Sequence, residues 1–186
     1  MANWLVENAL MILIFGQIMS LTSGQEWVPC VELKRDLSVP CKCSLSPNNP
    51  RTRIAMNCDG IIFTRDTIEG LKRQPIDSVS QRNVGYKNLP DDLIAAGLPL
   101  ERLDLSENSI TRLMDRLLQS QRLLKEIRLA DNLLGDNLNP IFSSNEFHDM
   151  TELRILDLGK NGLRSIEEGI FKGCSNLEEL YLDDNN

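Results

Sequence analysis

The chain has 186 residues, 41% of them hydrophobic and 25% charged, so it can form one ordinary domain with a real core. Its net charge of -7 and pI of 4.8, with no run of basic residues, argue against the basic face of a nucleic-acid binder. It contains one histidine, and we find no nucleophile motif, phosphate-binding loop or metal-ligand spacing. The sequence therefore predicts neither an enzyme nor a cofactor.

The first two dozen residues differ from the rest of the chain. An apolar run from Ala9 to Met19 is too short to span a bilayer comfortably, and small and polar residues follow it. This order is typical of a secretory signal peptide, so we predict one over residues 1–24. The segment has no Lys or Arg, and the alternative is an uncleaved amphipathic start. No later apolar run reaches 18 residues, so no membrane span is predicted in this chain.

Five cysteines follow, and four of them cluster at positions 30, 41, 43 and 58. The spacing of Cys41 and Cys43 is too tight for the common zinc knuckle, and the one histidine, His148, lies far away in sequence. In an exported chain the cluster predicts two disulfides. Cys41 and Cys43 cannot easily pair with each other, which leaves two connectivities open. We predict that Cys174 is a small buried hydrophobe, the alternative being a reactive or intermolecular thiol.

The remainder of the chain repeats itself. Segments that start at Leu100, Leu124 and Leu153 follow or approach the pattern L-x-x-L-x-L-x-x-N-x-L, which is the leucine-rich repeat signature. A weaker copy starts at Ile76 and a truncated one at Leu177, and successive starts lie 24, 24, 29 and 24 residues apart. The pattern predicts an α/β solenoid, a leucine-rich repeat horseshoe with parallel β-strands on its concave face.

Each position of the repeat, numbered from its first leucine, has a physical role. The fourth and sixth residues, such as Leu156 and Leu158, are two apart, so in a short strand both point inward. The asparagine at position nine follows the strand, where its side chain can pair with backbone groups that no strand ladder reaches. We therefore predict structural asparagines at Asn108, Asn132, Asn161 and Asn185.

Other positions predict the far side of the coils and two irregularities. Residues six places before the next repeat should stack as a convex apolar column, formed by Ile94, Leu118, Phe147 and Phe171. The third copy is five residues longer, and its extra length, within Gly135 to Met150, should bulge on the convex side. The first copy has Gln81 at position six and Val84 at position nine, which suggests a transition coil joined to the cap.

These repeats, together with "VPCKC" and a fourth cysteine in "AMNCDG", resemble animal extracellular leucine-rich repeat proteins with a cysteine-rich N-terminal cap, of the slit, chaoptin, connectin and capricious type. The resemblance covers about residues 28–186. It implies a disulfide-bonded cap, here residues 25–75, followed by about five repeats over 76–186. It also implies Cys30–Cys43 and Cys41–Cys58 bridges. Because such proteins usually end in a second cap, often followed by a membrane span or lipid-anchor signal, we expect this chain to be a fragment.

Residues between the inward positions should point outward on the concave face. Position five holds Ser80, Asp104, Arg128, Asp157 and Tyr181. Position three holds Ser78, Arg102, Glu126, Ile155 and Glu179, and position two holds Asp77, Glu101, Lys125, Arg154 and Glu178. Adjacent strands lie about 4.8 Å apart, so Arg128 should sit between Asp104 and Asp157. This surface is either a solvated ladder of neutralising charges or a platform for a partner.

The platform interpretation selects Arg128, Ile155, Asp157 and Tyr181 as partner-binding residues, since Tyr and Arg are favoured anchors of protein interfaces. The sequence thus predicts an extracellular protein-binding module in cell-surface recognition, adhesion or receptor signalling. Its expected partner is an extracellular protein ligand or receptor. Its expected location is secreted or on the extracellular face of the plasma membrane, where the full-length protein could be anchored. The alternative function is that of a secreted structural matrix component.

Overall fold

The computed structural model describes residues 26–46, 53–113, 118, 121–135 and 147–186. The predicted signal peptide, and residues 136–146 of the predicted bulge, lie outside the described residues. Within the described ranges, no helix is long and apolar enough to cross a membrane.

The described strands form one sheet in which they follow one another in chain order. They are β1 (Val28–Pro29), β2 (Lys42–Leu45), β3 (Ile54–Asn57), β4 (Ile76–Ser80), β5 (Arg102–Asp104), β6 (Glu126–Arg128), β7 (Ile155–Asp157) and β8 (Glu179–Tyr181). The pairs β1–β2 and β2–β3 are antiparallel, and every pair from β3 to β8 is parallel. The structure confirms the predicted solenoid, a leucine-rich repeat fold with a cap at its amino-terminal end.

In the part of the chain that the structure describes, three short helices lie between strands: α1 (Cys30–Leu33), α2 (Arg65–Leu71) and α3 (Asp91–Ile94). Helix α2 begins where the Thr64 side chain accepts a hydrogen bond from the Thr67 amide at 3.2 Å, which satisfies one of the amides that a helix start leaves unpaired. Its apolar residues Ile68 and Leu71 are three apart, so they share one face and are both buried. The start of α2 is thus fixed by its cap, and one apolar face packs it against the core.

The core is a stack of inward leucines. At position four Leu103, Ile127 and Leu156 are at most 1% exposed, and Leu105, Leu129 and Leu158 at position six are fully buried. A single coil would leave one side of this row in water, so the coils stabilise one another only by stacking. The repeat pattern predicted this packing residue by residue.

The four residues predicted for the convex column pack against the core, with one of them less buried than the others. Ile94, Leu118 and Phe147 are at most 2% exposed. In the following coil the buried residue is Ile170, whereas Phe171 is half-buried with its ring centroid 5.6 Å from that of Phe147. Phe171 therefore stacks on Phe147 as predicted, although it is less buried than its neighbour Ile170, which the sequence did not place in this column.

Two disulfides close the cap. Cys30 bonds to Cys43 and Cys41 bonds to Cys58, each with its Cα atoms 4.7 Å apart, so the structure contains the connectivity that the resemblance implies. The first bridge joins α1 to β2, and the second joins the residue before β2 to the residue after β3. Cys174 is unbridged and 6% exposed among the repeats, and burial raises the pKa of its thiol to about 11. A thiol with such a pKa is a poor nucleophile at neutral pH.

Candidate functional site

The asparagine at position nine joins each coil to the coil before it. The Asn132 amide donates to the carbonyls of Leu129 and Ala130 in its own coil, at 3.0 and 3.3 Å, and to that of Leu105 in the preceding coil, at 3.1 Å. Its oxygen accepts from the Ile110 amide at 2.9 Å. Asn132 is 4% exposed, so these bonds replace those that water would make.

The other three asparagines repeat this arrangement, and we call the four side chains the asparagine ladder. The Asn108 amide donates to the backbone carbonyls of Gln81, Leu105 and Ser106. The Asn161 amide donates to those of Leu129, Leu158 and Gly159. The Asn185 amide donates to those of Leu158, Leu182 and Asp183. In every case one acceptor is the position-six carbonyl of the preceding coil. The sequence predicted that each asparagine pairs with backbone groups at the bend after its strand, but this link between coils was not predicted.

The first coil is joined to the cap by a different residue. Gln81 is fully buried, and its amide donates to the Ile61 carbonyl of the cap at 2.8 Å. The Tyr86 hydroxyl donates to the Gln81 oxygen at 3.2 Å. A leucine at position six could not make these bonds. Gln81, which departs from the repeat pattern, therefore joins the first coil to the cap, as the asparagines join the later coils to one another.

Position eight turns the chain out of the strand. In all five coils this residue has a positive φ between 53° and 56°, and the residues are Asn83, Glu107, Asp131, Lys160 and Asp184. Asn and Asp tolerate this left-handed conformation better than most residues, and they occupy three of the five positions. That preference is a signal in the sequence, but Glu107 and Lys160 obscure it, so this turn was not predicted.

The concave face holds the four predicted partner-binding residues close together. Arg128 on β6 lies opposite Asp157 on β7, which lies opposite Tyr181 on β8. Ile155 occupies the neighbouring column between Glu126 and Glu179. Tyr181 is 42% exposed, while Arg128, Ile155 and Asp157 are half-buried. The structure therefore brings these side chains onto three adjacent strands of one surface.

Hydrogen bonds along the strands orient two of these side chains. Arg128 lies between Asp104 and Asp157 in register, yet its Nε donates to Glu126 on its own strand at 2.5 Å. That hydrogen bond raises the pKa of the Arg128 guanidinium. The Tyr181 hydroxyl likewise donates to Glu179 at 2.5 Å, which raises the pKa of Tyr181. Both predicted anchors are thus held by a glutamate two residues earlier.

One predicted outward residue points inward. Asp77 was expected on the concave face but is 0% exposed. The register between β3 and β4 shifts there, since Ile54 pairs with Ile76 and Ala55 with Ser78, so Asp77 is the extra residue of a bulge. Its Oδ2 accepts from Ser46 at 2.7 Å, and its Oδ1 lies 3.8 Å from Arg102. The bulge redirects the carboxylate into the junction between the cap and the first coil.

The buried carboxylate should make stability depend on pH. Burial raises the pKa of Asp77, opposed by the Ser46 hydrogen bond and by the charges of Arg102 and Arg53, and supported by Glu101. A carboxyl whose pKa is higher in the folded state than in the unfolded state binds its proton more tightly when the protein is folded. It therefore stabilises the fold fully at pH values below its unfolded pKa, and this stabilisation is lost as the pH rises through its folded pKa. We therefore expect Asp77→Asn to gain stability relative to the wild type as the pH rises above about 4, the usual pKa of an aspartate in an unfolded chain.

Urea unfolding of both proteins at several pH values measures this difference. Asp92→Asn, which removes an exposed carboxylate from the first turn of α3, is the matched control and should track the wild type more closely. If the unfolding free energies of Asp77→Asn and of the wild type change in parallel with pH, burial does not dominate the titration of Asp77.

A comparison with protein families agrees with the repeat geometry. Residues 137–186 match the family model described as leucine rich repeat. Among solved structures, one similar chain belongs to "Structure of the Toll - Spatzle complex, a molecular hub in Drosophila development and innate immunity". It is 18% identical with a TM-score of 0.44, and the match covers 67% of this chain and 22% of that chain. This chain therefore spans about a fifth of that chain's length.

Proposed function

We propose that this leucine-rich repeat protein is an extracellular protein-binding module that acts in cell-surface recognition, adhesion or receptor signalling. The observation that carries the proposal is the grouping of Arg128, Ile155, Asp157 and Tyr181 on the concave face. The stacked coils make this surface long and rigid, which suits a protein-sized partner. Tyr and Arg anchors held in place before binding lose less conformational entropy on association.

An extracellular location is supported by the cap. Its two disulfides would persist in an oxidising compartment and are rare in the cytosol. The corresponding organisation is a signal peptide over residues 1–24, a cap over 25–75 and repeats over 76–186. We place the protein in the secreted fraction or on the extracellular face of the plasma membrane, with an extracellular ligand or receptor as its partner.

Binding of fluorescent tetramers of the secreted chain to intact animal cells tests the proposal. Tyr181→Ala combined with Arg128→Glu should weaken binding at least tenfold, which corresponds to about 1.4 kcal/mol. The thermal midpoint should change little, because neither side chain is in the core. Binding to deposited matrix alone, with none to cells, would instead favour a structural matrix component.

The matched control lies in the turns opposite the sheet. Glu167→Ala combined with Lys172→Glu changes two exposed side chains in the turns around Gly169, and it should leave cell binding unchanged. If this far-side variant loses binding while the concave variant keeps it, the partner site is on the convex side and the proposal is wrong.

A further inference from the structure

The concave face differs in charge between its two halves. On β5 and β6 the outward columns hold Arg102, Asp104, Glu126 and Arg128, two cations and two anions, for a net charge of zero. On β7 and β8 the same columns hold Ile155, Asp157, Glu179 and Tyr181, two anions and no cation, for a net charge of -2. In these outward columns the half of the face formed by β7 and β8 is therefore the more acidic one.

The nearby arginines are already paired. Arg128, at the boundary between the halves, donates to Glu126, and Arg154 on the edge of β7 donates to Glu178 at 3.1 Å. Among the residues that follow these strands, Lys160 adds one positive charge, and Asp183 and Asp184 add two negative charges. With these flanking residues the acidic half has a net charge of -3, and Glu107 and Asp131, at the matching positions after β5 and β6, bring the other half to -2.

The same half offers apolar and aromatic contact area. Ile155 is half-buried between Glu126 and Glu179, so its side chain presents an aliphatic surface between two carboxylates. Tyr181 is 42% exposed and fixed by its bond to Glu179. Gly159, which follows β7 and is buried, donates its amide to Asp157 at 3.1 Å, and the Asp183 carboxylate lies beside it. A partner side chain could contact Ile155 while a neighbouring cation reaches Asp157 or Glu179.

We infer that the outward face of β7 and β8 docks a basic segment of the partner protein that carries an apolar anchor. The inference rests on the proposed function and specifies the chemistry of its partner. Charge complementarity favours a Lys- or Arg-containing segment, because like charges across an interface oppose association and opposite charges accelerate it. The apolar anchor follows from Ile155 and Tyr181, which a purely ionic partner would leave uncovered.

Three synthetic twelve-residue peptides of alternating residues test the chemistry: Lys–Leu, Ser–Leu and Glu–Leu. The Lys–Leu peptide should bind the chain, and its Kd should rise at least fivefold in Asp157→Asn with Glu179→Gln, which keeps shape and removes both charges. Glu167→Gln with Glu168→Gln makes the same net charge change on the exposed far side and should alter Kd less than twofold. Equal losses in the two variants, or equal binding of the three peptides, would overturn the inference.

The cell-binding measurement separates this inference from the proposed function. We expect Asp157→Asn with Glu179→Gln to lose at least fivefold in binding to cells. If it binds like the wild type while Tyr181→Ala with Arg128→Glu does not, the concave face is the site but its partner segment is not basic. If both concave variants bind like the wild type, the proposed function itself fails.

Discussion

Asn132→Asp should lower the free energy of unfolding by about 3 kcal/mol or more, although the two side chains have nearly the same shape. The Asn132 amide donates to three carbonyls, those of Leu105, Leu129 and Ala130. Aspartate has no such donor, so the carbonyls lose their partner at about 1–3 kcal/mol for each unsatisfied group. A buried carboxylate facing carbonyl oxygens adds a further cost.

Asn88→Asp is the matched control, because Asn88 is exposed in the first coil and undergoes the same chemical change. It should shift stability by less than about 0.5 kcal/mol, as surface substitutions usually do. Urea unfolding at neutral pH compares the two variants. Equal shifts would show that the asparagine ladder does not hold the coils together.

Removing the Cys30–Cys43 bridge with Cys30→Ala and Cys43→Ala should cost roughly 3 kcal/mol, the usual contribution of a disulfide that closes a loop of this size. The cap depends on such bridges because its antiparallel strands are only two to four residues long. Without the bridge the unfolded chain gains conformational freedom, so the thermal midpoint should fall.

Cys174→Ala is the control for loss of a buried cysteine without loss of a bridge. It should cost only about 1 kcal/mol, for the apolar surface removed. A reducing agent should lower the midpoint of the wild type but leave that of a variant without any cap cysteine unchanged. If the double alanine variant has the same thermal midpoint as the wild type, the bridge does not stabilise the cap.

The sequence was most informative where the physics repeats. Leucines two apart on a strand must face the same side, so the burial of Leu156 and Leu158 follows from spacing alone. The same logic gave the concave columns, because each strand occupies the same positions of its repeat, and β7 stays in register with β6 although the coil that joins them is five residues longer. A link such as that from Asn132 to Leu105 was not visible, since it depends on how two coils approach each other.

Two other misses come from features that do not repeat. Asp77 faces inward because β4 has one extra residue where it pairs with β3. A bulge of this kind does not change the spacing of the repeats. Arg128 bonds to Glu126 although Asp104 and Asp157 lie on either side, and this is a choice of rotamer among several nearby carboxylates. The position in the repeat fixes the strand and the face from which a side chain projects, but it does not fix which residue that side chain hydrogen-bonds to.

Photo-crosslinking on intact cells tests the central claim, that the concave face binds a protein partner, most directly. A benzophenone amino acid would replace Tyr181 on the concave face or Lys172 on the far side, both of which are exposed. Tetramers of each variant would be bound to cells and irradiated. We predict a discrete crosslinked protein from position 181, lost on competition with unlabelled chain, and none from position 172. A crosslink from position 172 alone would contradict the account.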